Sequence, residues 1–344
     1  MTTTVLALTA LTLTVGYALA SAFHDAPNAT AIPVKHRALA PHTALILTAI
    51  FNALGVVIAA TMMPLTWPSA LPPSMADPNP TLGVIICALL ATAGWNLLTW
   101  RWGLPSSSTA AFMGGALGGS VALGWLGLTV HNALDVKILR DLIVPVVLMP
   151  LLAFGIAWLF TAPVVRWLRH AETNHIRLLA HVGMVAGSTG TAVGHGVLHG
   201  QRVLWLLITI PAISGLTDTP VGTTPITWAV FVTATAFMIG SLFGAWRIAR
   251  TVSSRLVSTD ALRGGIAQST SGLLLFLGAL SNGTALSTTH TMVGAVLGAG
   301  TNQKHRSINH RQLRKTLVCW ALTVPVSGVA AGTLALAISP LLGQ

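Results

Sequence analysis

The sequence predicts an all-α integral membrane protein, and three observations carry that prediction. Of its 344 residues 53% are hydrophobic and only 7% charged, against roughly a quarter charged in soluble domains. The charges bunch, so windows 1–24, 38–76, 78–100, 102–134, 142–165, 178–201, 219–246, 264–303 and 316–344 hold no Asp, Glu, Lys or Arg. A spanning helix needs about 20 mainly apolar residues to cross a hydrocarbon core about 30 Å thick, and most of these windows are long enough. Buried helices of a soluble protein would carry charged outer faces, which these windows lack. The expectation is about 10–12 transmembrane helices and half-helices, in two inverted-topology repeats with re-entrant hairpins.

Taken in order, residues 5–22 read as the first spanning helix. The Ala-Leu-Ala-Ser-Ala at their end resembles a secretory cleavage site, but a signal peptide carries a positive n-region, and the first basic residue is Lys35. Basic clusters follow at Lys35/Arg37, Arg166/Arg169/Arg177, Arg247/Arg250/Arg255/Arg263 and from Lys304 to Lys315. By the positive-inside rule these loops face the cytoplasm. The Pro-rich loop 64–80 and loop 215–225 lack Lys and Arg, which puts them outside, together with both termini. Loop 131–140 decides little, because Lys137 and Arg140 sit beside Asp135 and Asp141. The net charge of +11 therefore orients a membrane protein and is no nucleic-acid footprint. Cys87 and Cys319 each stand alone in an apolar stretch, so neither a disulfide framework nor a cysteine metal site is expected.

The polar segment 166–177 divides the chain into a first membrane repeat, 1–165, and a second, 178–344, with a cytoplasmic linker between them. A single offset of 180 residues aligns Ser107, Ser108, Thr109, Gly114 and Gly118 with Ser287, Thr288, Thr289, Gly294 and Gly298. Five positions in register argue for duplication. Each Gly pair is a GxxxG that lets helix backbones approach closely. The hydroxyl runs, Ser106 to Thr109 and Ser287 to Thr289, follow turn signals at Gly103-Leu104-Pro105 and Ser281-Asn282-Gly283. Turns inside apolar windows imply helices broken at membrane depth, and paired interruptions in two halves point to a transporter's central site. If a half-helix follows each run, hydroxyls, amides and helix dipole together suit an oxyanion.

Asp25 ends an uncharged run of 24 residues. Intramembrane acids are usually functional, although a residue so placed can also cap a helix at the membrane surface. Pro27 lacks an N–H and restricts its predecessor, so the helix is expected to unwind here, leaving Asp25 and Asn28 beside free carbonyls. The second constellation is Gly194-His195-Gly196-Val197-Leu198-His199-Gly200-Gln201-Arg202. Two His four apart could ligate a metal on a helix, but no Glu lies between them and the glycines should spoil the helix, so no metal is expected. Arg202 can bind an oxyanion, pair with Asp25, or snorkel to the interface. No Ser/His/Asp spacing or catalytic motif supports an enzyme.

These residues carry a resemblance to the inorganic phosphate transporter (PiT) family. Phe23 to Ala29 resembles that family's first-repeat signature, and His195 to Arg202 its second, His-Gly-x-Asn-Asp-Gly-Gln-Lys. Trp95 to Trp100 and Gly103 to Ser108 resemble the segment entering the first hydroxyl site. Leu286 to His290 with Gly294, and Gly298 to Gly300, resemble the second. Gly244 to Arg247 and Leu322 to Ser327 extend the likeness over nearly the whole chain. The resemblance implies an inverted-repeat bundle carrying phosphate, in some members sulfate, coupled to sodium or protons, with no cofactor. Its sites map onto Asp25, Asn28, Gln201, Ser106 to Ser108 and Ser287 to Thr289. Arg202 and Thr109 join this substrate set, and His24, His195, His199 and His290 join Asp25 as coupling candidates.

The sequence departs from the family where Leu198-His199 replaces Asn-Asp, Ala110 replaces a His, and Ala22 replaces a Gly. Losing the second acid removes a hard oxygen ligand that sodium wants, and imidazole suits protons better. Proton coupling, or uncoupled anion movement, is therefore expected over sodium coupling. Phosphate can donate a hydrogen bond to a carboxylate and sulfate cannot, so the loss also keeps sulfate open. The remaining expectations are a multi-pass protein of the cell membrane with lipid as its surroundings and a homodimer left open. A non-transporting sensor or structural partner is less supported, and an intramembrane enzyme less still.

Overall fold

The computed structural model describes residues 2–62, 78–128, 136–217, 227–280, 286–301, 303 and 308–343, except for the side chains of 136–143 and 145. The Ser281-Asn282-Gly283 turn, loop 131–135, Lys304 and most of loops 64–80 and 215–225 lie outside the described residues. Twelve α-helices are described: α1 (Thr2–Asp25), α2 (Pro27–Lys35), α3 (Pro41–Met62), α4 (Pro78–Trp102), α5 (Ser108–Trp125), α6 (Val136–Trp167), α7 (Thr173–Ile213), α8 (Thr227–Phe243), α9 (Trp246–Arg250), α10 (Ala261–Leu280), α11 (Thr288–Thr301) and α12 (His310–Ile338). Among the described residues the extended structure is a single isolated bridge between Val257 and Ile308. Among the described residues six helical stretches are long and apolar enough to cross a membrane, or seven if α8 and the bent segment following it count as one span. The all-α membrane fold expected from the charge-free windows is the one observed.

Helix α7 forms the centre. Its 41 residues extend about 60 Å at 1.5 Å per residue, and it packs against α10, α3, α1 and α2. Of its apolar window 89% is buried, against 17% for α6 and 28% for α12, so the latter two turn most of their apolar surface outward. The glycines of the 194–200 segment do not interrupt it, contrary to the sequence expectation. An added methyl at Gly194 would lie 2.9 Å from the Leu275 backbone, and one at Gly196 2.9 Å from the Gly55 Cα. Close packing on α10 and α3 thus outweighs glycine's helix cost of about 1 kcal/mol per residue.

Helices α5 and α11 are short, about 27 and 21 Å at 1.5 Å per residue, and both start among buried residues. Gly103 makes the first start possible. It adopts φ +65°, while its N–H and that of Leu104 close on Trp100 and Thr99 carbonyls in a Schellman arrangement. Pro105 then prevents the helix from resuming at once. The GxxxG pairs lie in two reciprocal contacts: Gly114 and Gly118 of α5 abut the backbone at Val324 and Gly328 of α12. Gly294 and Gly298 of α11 abut Pro150 and Phe154 of α6. Each half of the chain thus supplies one short helix to the other half's long one.

Candidate functional site

The site forms where the starts of α5 and α11 meet the α1–α2 break and the middle of α7. The break is narrower than expected. Ala26 keeps helical dihedrals (φ −50°, ψ −35°), its N–H bonds the Ala22 carbonyl at 3.0 Å, and Thr30 N–H returns to Ala26. Pro27 removes one N–H from this ladder, yet Thr2–Lys35 continues as a single 34-residue apolar stretch, so the chain does not unwind. Asp25 ends α1 only 4% exposed. It is no surface cap.

Both hydroxyl runs lie at helix starts. Ser107 caps α5 by accepting from Ala110 N–H at 3.1 Å, and Ser287 accepts from His290 N–H at 3.3 Å at the start of α11. The 180-residue offset thus relates two equivalent caps. One turn inward the equivalence continues. Thr289 Oγ1 donates to Asp25 Oδ1 at 3.1 Å and accepts from Asn28 Nδ2 at 3.0 Å. Thr109 Oγ1 lies 3.4 Å from His199 Nε2 and accepts from Arg202 Nη1 at 3.0 Å. Asp25 with Asn28 on one side therefore matches His199 with Arg202 on the other, and each pair brackets the threonine of one buried helix start.

The remaining candidates fill in around these corners. His24 Nδ1 lies 3.3 Å from Asp25 Oδ1, and its Nε2 meets Thr99 and Ser106 hydroxyls at 3.2 and 3.4 Å. His195 and His199 Nε2 face Asp25 Oδ2 at 3.5 and 3.7 Å. Asn28 also donates to Thr288 Oγ1 at 3.3 Å, and Ser108 accepts from Asn96 at 3.2 Å. Arg202 is 5% exposed and reaches Tyr17 Oη at 3.4 Å, so it does not snorkel. Gln201, one position away on α7, is half-buried rather than enclosed. His290 is buried with its ring 4.0 Å from Trp320's, and neither ring nitrogen finds a hydrogen bond among the described residues. Asn28 Oδ1 is likewise without one. Buried polar atoms are normally satisfied, so these open positions beside the start of α11 are ones a bound anion or its proton can complete.

Several participants carry no strong sequence signal. Tyr17, Ser21, Asn52, Thr99 and Gln268 are buried polar residues of apolar helices. Gln268 bridges the Asn28 carbonyl and the Thr191 hydroxyl at 3.1 and 3.2 Å. Ser21 Oγ lies 2.8 Å from His199 Nδ1, and Asn52 Oδ1 lies 2.9 Å from His195 Nδ1. Their one cue is a polar side chain inside a charge-free window.

Two short helices starting in the protein interior, faced by a carboxylate, a guanidinium and several imidazoles, define a multi-pass membrane protein with a central polar site. The chain belongs to the phosphate transporter family, whose model matches residues 21–331. It is 28% identical over 308 residues to a probable low-affinity inorganic phosphate transporter of Bacillus subtilis (strain 168), covering 89% of both chains. A relative of the same description from Rhizobium meliloti (strain 1021) is 29% identical over 317 residues, covering 89% of this chain and 88% of that one. Among solved structures, "The sodium-dependent phosphate transporter" shares the fold with a TM-score of 0.74 at 16% identity, over 98% of this chain and 99% of that one.

Proposed function

We propose that this chain is a secondary active transporter of inorganic phosphate across the cell membrane. The observation that carries the reading is the meeting of the two buried helix starts with Asp25/Asn28 and His199/Arg202 through Thr289 and Thr109. Helix N-termini offer unpaired amides and a positive dipole end, the hydroxyls add neutral donors, and Arg202 adds one fixed cation. The carboxylate of Asp25 accepts a hydrogen bond that protonated phosphate can give. The names of the relatives support phosphate as cargo.

Proton coupling is the mode this reading favours. His199 stands where the family signature has an acid, and it shares Asp25 Oδ2 with His195, so the cluster is richer in proton-accepting nitrogen than in the oxygen sodium prefers. Orientation follows the basic loops, with segment 166–177 cytoplasmic between two repeats and both termini outside.

The test is uptake of radiolabelled phosphate and sulfate into proteoliposomes of purified protein under an imposed pH gradient, a sodium gradient, or neither. Phosphate uptake driven by the pH gradient and lost in Asp25→Asn is the expected result. Sodium-driven uptake overturns the coupling, sulfate uptake alone overturns the cargo, and folded protein moving neither anion points to a sensor or structural role.

A further inference from the structure

We propose that Asp25, His195 and His199 form a binding site for a zinc-class divalent transition-metal ion. The sequence argued against a metal because no acid separates the two histidines and because glycines should break the helix. Neither objection survives. Helix α7 is continuous, so residues four apart lie on one face a turn apart, and the acid arrives from α1. The three ligand atoms lie within 4.8 Å of one another, all buried.

The spacing and the outer hydrogen bonds agree on a cation. Tetrahedral ligands at about 2.0–2.1 Å from zinc stand about 3.3 Å apart, and Asp25 Oδ2 is 3.5 and 3.7 Å from the two Nε2 atoms. Those separations are long for a charge-assisted hydrogen bond of about 2.7–2.9 Å. Asn52 Nδ2 donates to Ser241 Oγ at 2.8 Å, which turns its oxygen towards His195 Nδ1 at 2.9 Å. That oxygen can only accept, so Nδ1 carries a proton, and in the neutral ring Nε2 points its lone pair at the carboxylate. Two acceptors facing each other in a buried site repel unless a cation, either a metal ion or a second ring proton, lies between them, and His195 Nε2 has no hydrogen-bond partner among the described residues. Ser21 Oγ lies 2.8 Å from His199 Nδ1, and Arg202 Nη1, which can only donate, lies 3.5 Å from the same nitrogen, so this ring ligates through Nε2 once a metal displaces its proton. His24 and Thr289 occupy the other carboxylate oxygen, leaving Oδ2 to the metal. Two imidazoles and one carboxylate suit zinc, cobalt or nickel rather than sodium or magnesium. Three protein ligands leave a coordination position for water or an oxyanion oxygen. The argument rests on these three side chains and not on which anion is carried, and an ion held there takes the place of the proton that the coupling proposed above assigns to the same nitrogens.

The experiment titrates Co²⁺ into the purified full chain in detergent at fixed pH, followed by visible absorption, with Zn²⁺ displacement measured calorimetrically. A cobalt ligand-field band saturating at one ion per chain and displaced by Zn²⁺ is expected. His199→Gln and Asp25→Asn each remove it in monodisperse protein. Asn52→Ala, which removes no ligand and stands in for either variant that fails to fold, weakens affinity about 10–100-fold as loss of an orienting hydrogen bond does. Folded wild-type protein without the band, or a band unchanged in these variants, overturns the site while leaving phosphate uptake, measured separately, to stand or fall alone.

Discussion

Thr109 and Thr289 hold equivalent corners of the site but meet groups of different charge, the first a guanidinium and an imidazole, the second an amide and a carboxylate. Removing the Thr289 hydroxyl leaves Asn28 Nδ2 and Asp25 Oδ1 each short of a partner in a buried site, at a cost of about 1–3 kcal/mol. Thr289→Val is therefore expected to raise the half-saturating phosphate concentration roughly 5- to 150-fold, with Thr289→Ser close to wild type in the same assay. A second residue-scale prediction concerns His36, just beyond the first span. Burial, reinforced by the charge of Lys35, lowers its pKa from 6.5 to about 4, while Asp260 pulls the other way and His181 adds to the lowering. The unfolded chain then binds the extra proton between those values, so stability falls as pH drops from 6.5 towards 4. His36→Gln should flatten that part of the melting-temperature profile in detergent. Asp25, Asn28, Arg202 and the hydroxyl runs were legible in the sequence because a polar residue in a long apolar window is costly and seldom idle. Asn52 was not, because its role depends on meeting His195, 143 positions away, and nothing in its neighbourhood announces that contact.

At the scale of elements, the helix starts were the most legible feature. Gly103-Leu104-Pro105 dictates a stop, and Ser107 then caps the next helix. The course of α7 was not legible. Local propensity disfavours a helix through Gly194, Gly196 and Gly200, and tertiary packing against α3 and α10 overrides it. The GxxxG pairs yield a direct test, because Gly118 and Gly298 lie against backbone that has no side chain to swing aside. Gly118→Leu or Gly298→Leu should destabilise the folded protein by about 1–3 kcal/mol or more, read as a lower melting temperature in detergent. Gly124, on the same helix as Gly118, has open space where a Cβ would go, and Gly124→Ala should leave melting unchanged or raise it.

For the whole molecule, the charge pattern gives an orientation that labelling can check. Ala171 follows the turn Leu168–His170 between α6 and α7, inside the basic segment 166–177. In sealed right-side-out vesicles, Ala171→Cys should resist a membrane-impermeant thiol reagent and react once the cytoplasmic face is opened. Labelling of intact vesicles would reverse the topology. Cys87 and Cys319 are buried and should contribute little background. The overall bundle was legible because charge-free windows measure out the spans. Its internal pairing was not, since the 180-residue offset shows that two helices are alike without showing whose partner each becomes.

That pairing has a consequence for how the chain is made. The contact between Gly118 and Gly328 joins positions 210 residues apart, so the groove on α5 waits for α12. At about 5–20 residues per second the interval is roughly 10–40 s. Throughout it the ribosome holds a half-built bundle whose α5–α12 seam is still open. A chain released without α12 leaves that seam to lipid or to a quality-control protease. Translation of α12 is thus the step that closes this seam, and a stop codon ahead of residue 328 should deplete the protein's steady-state level.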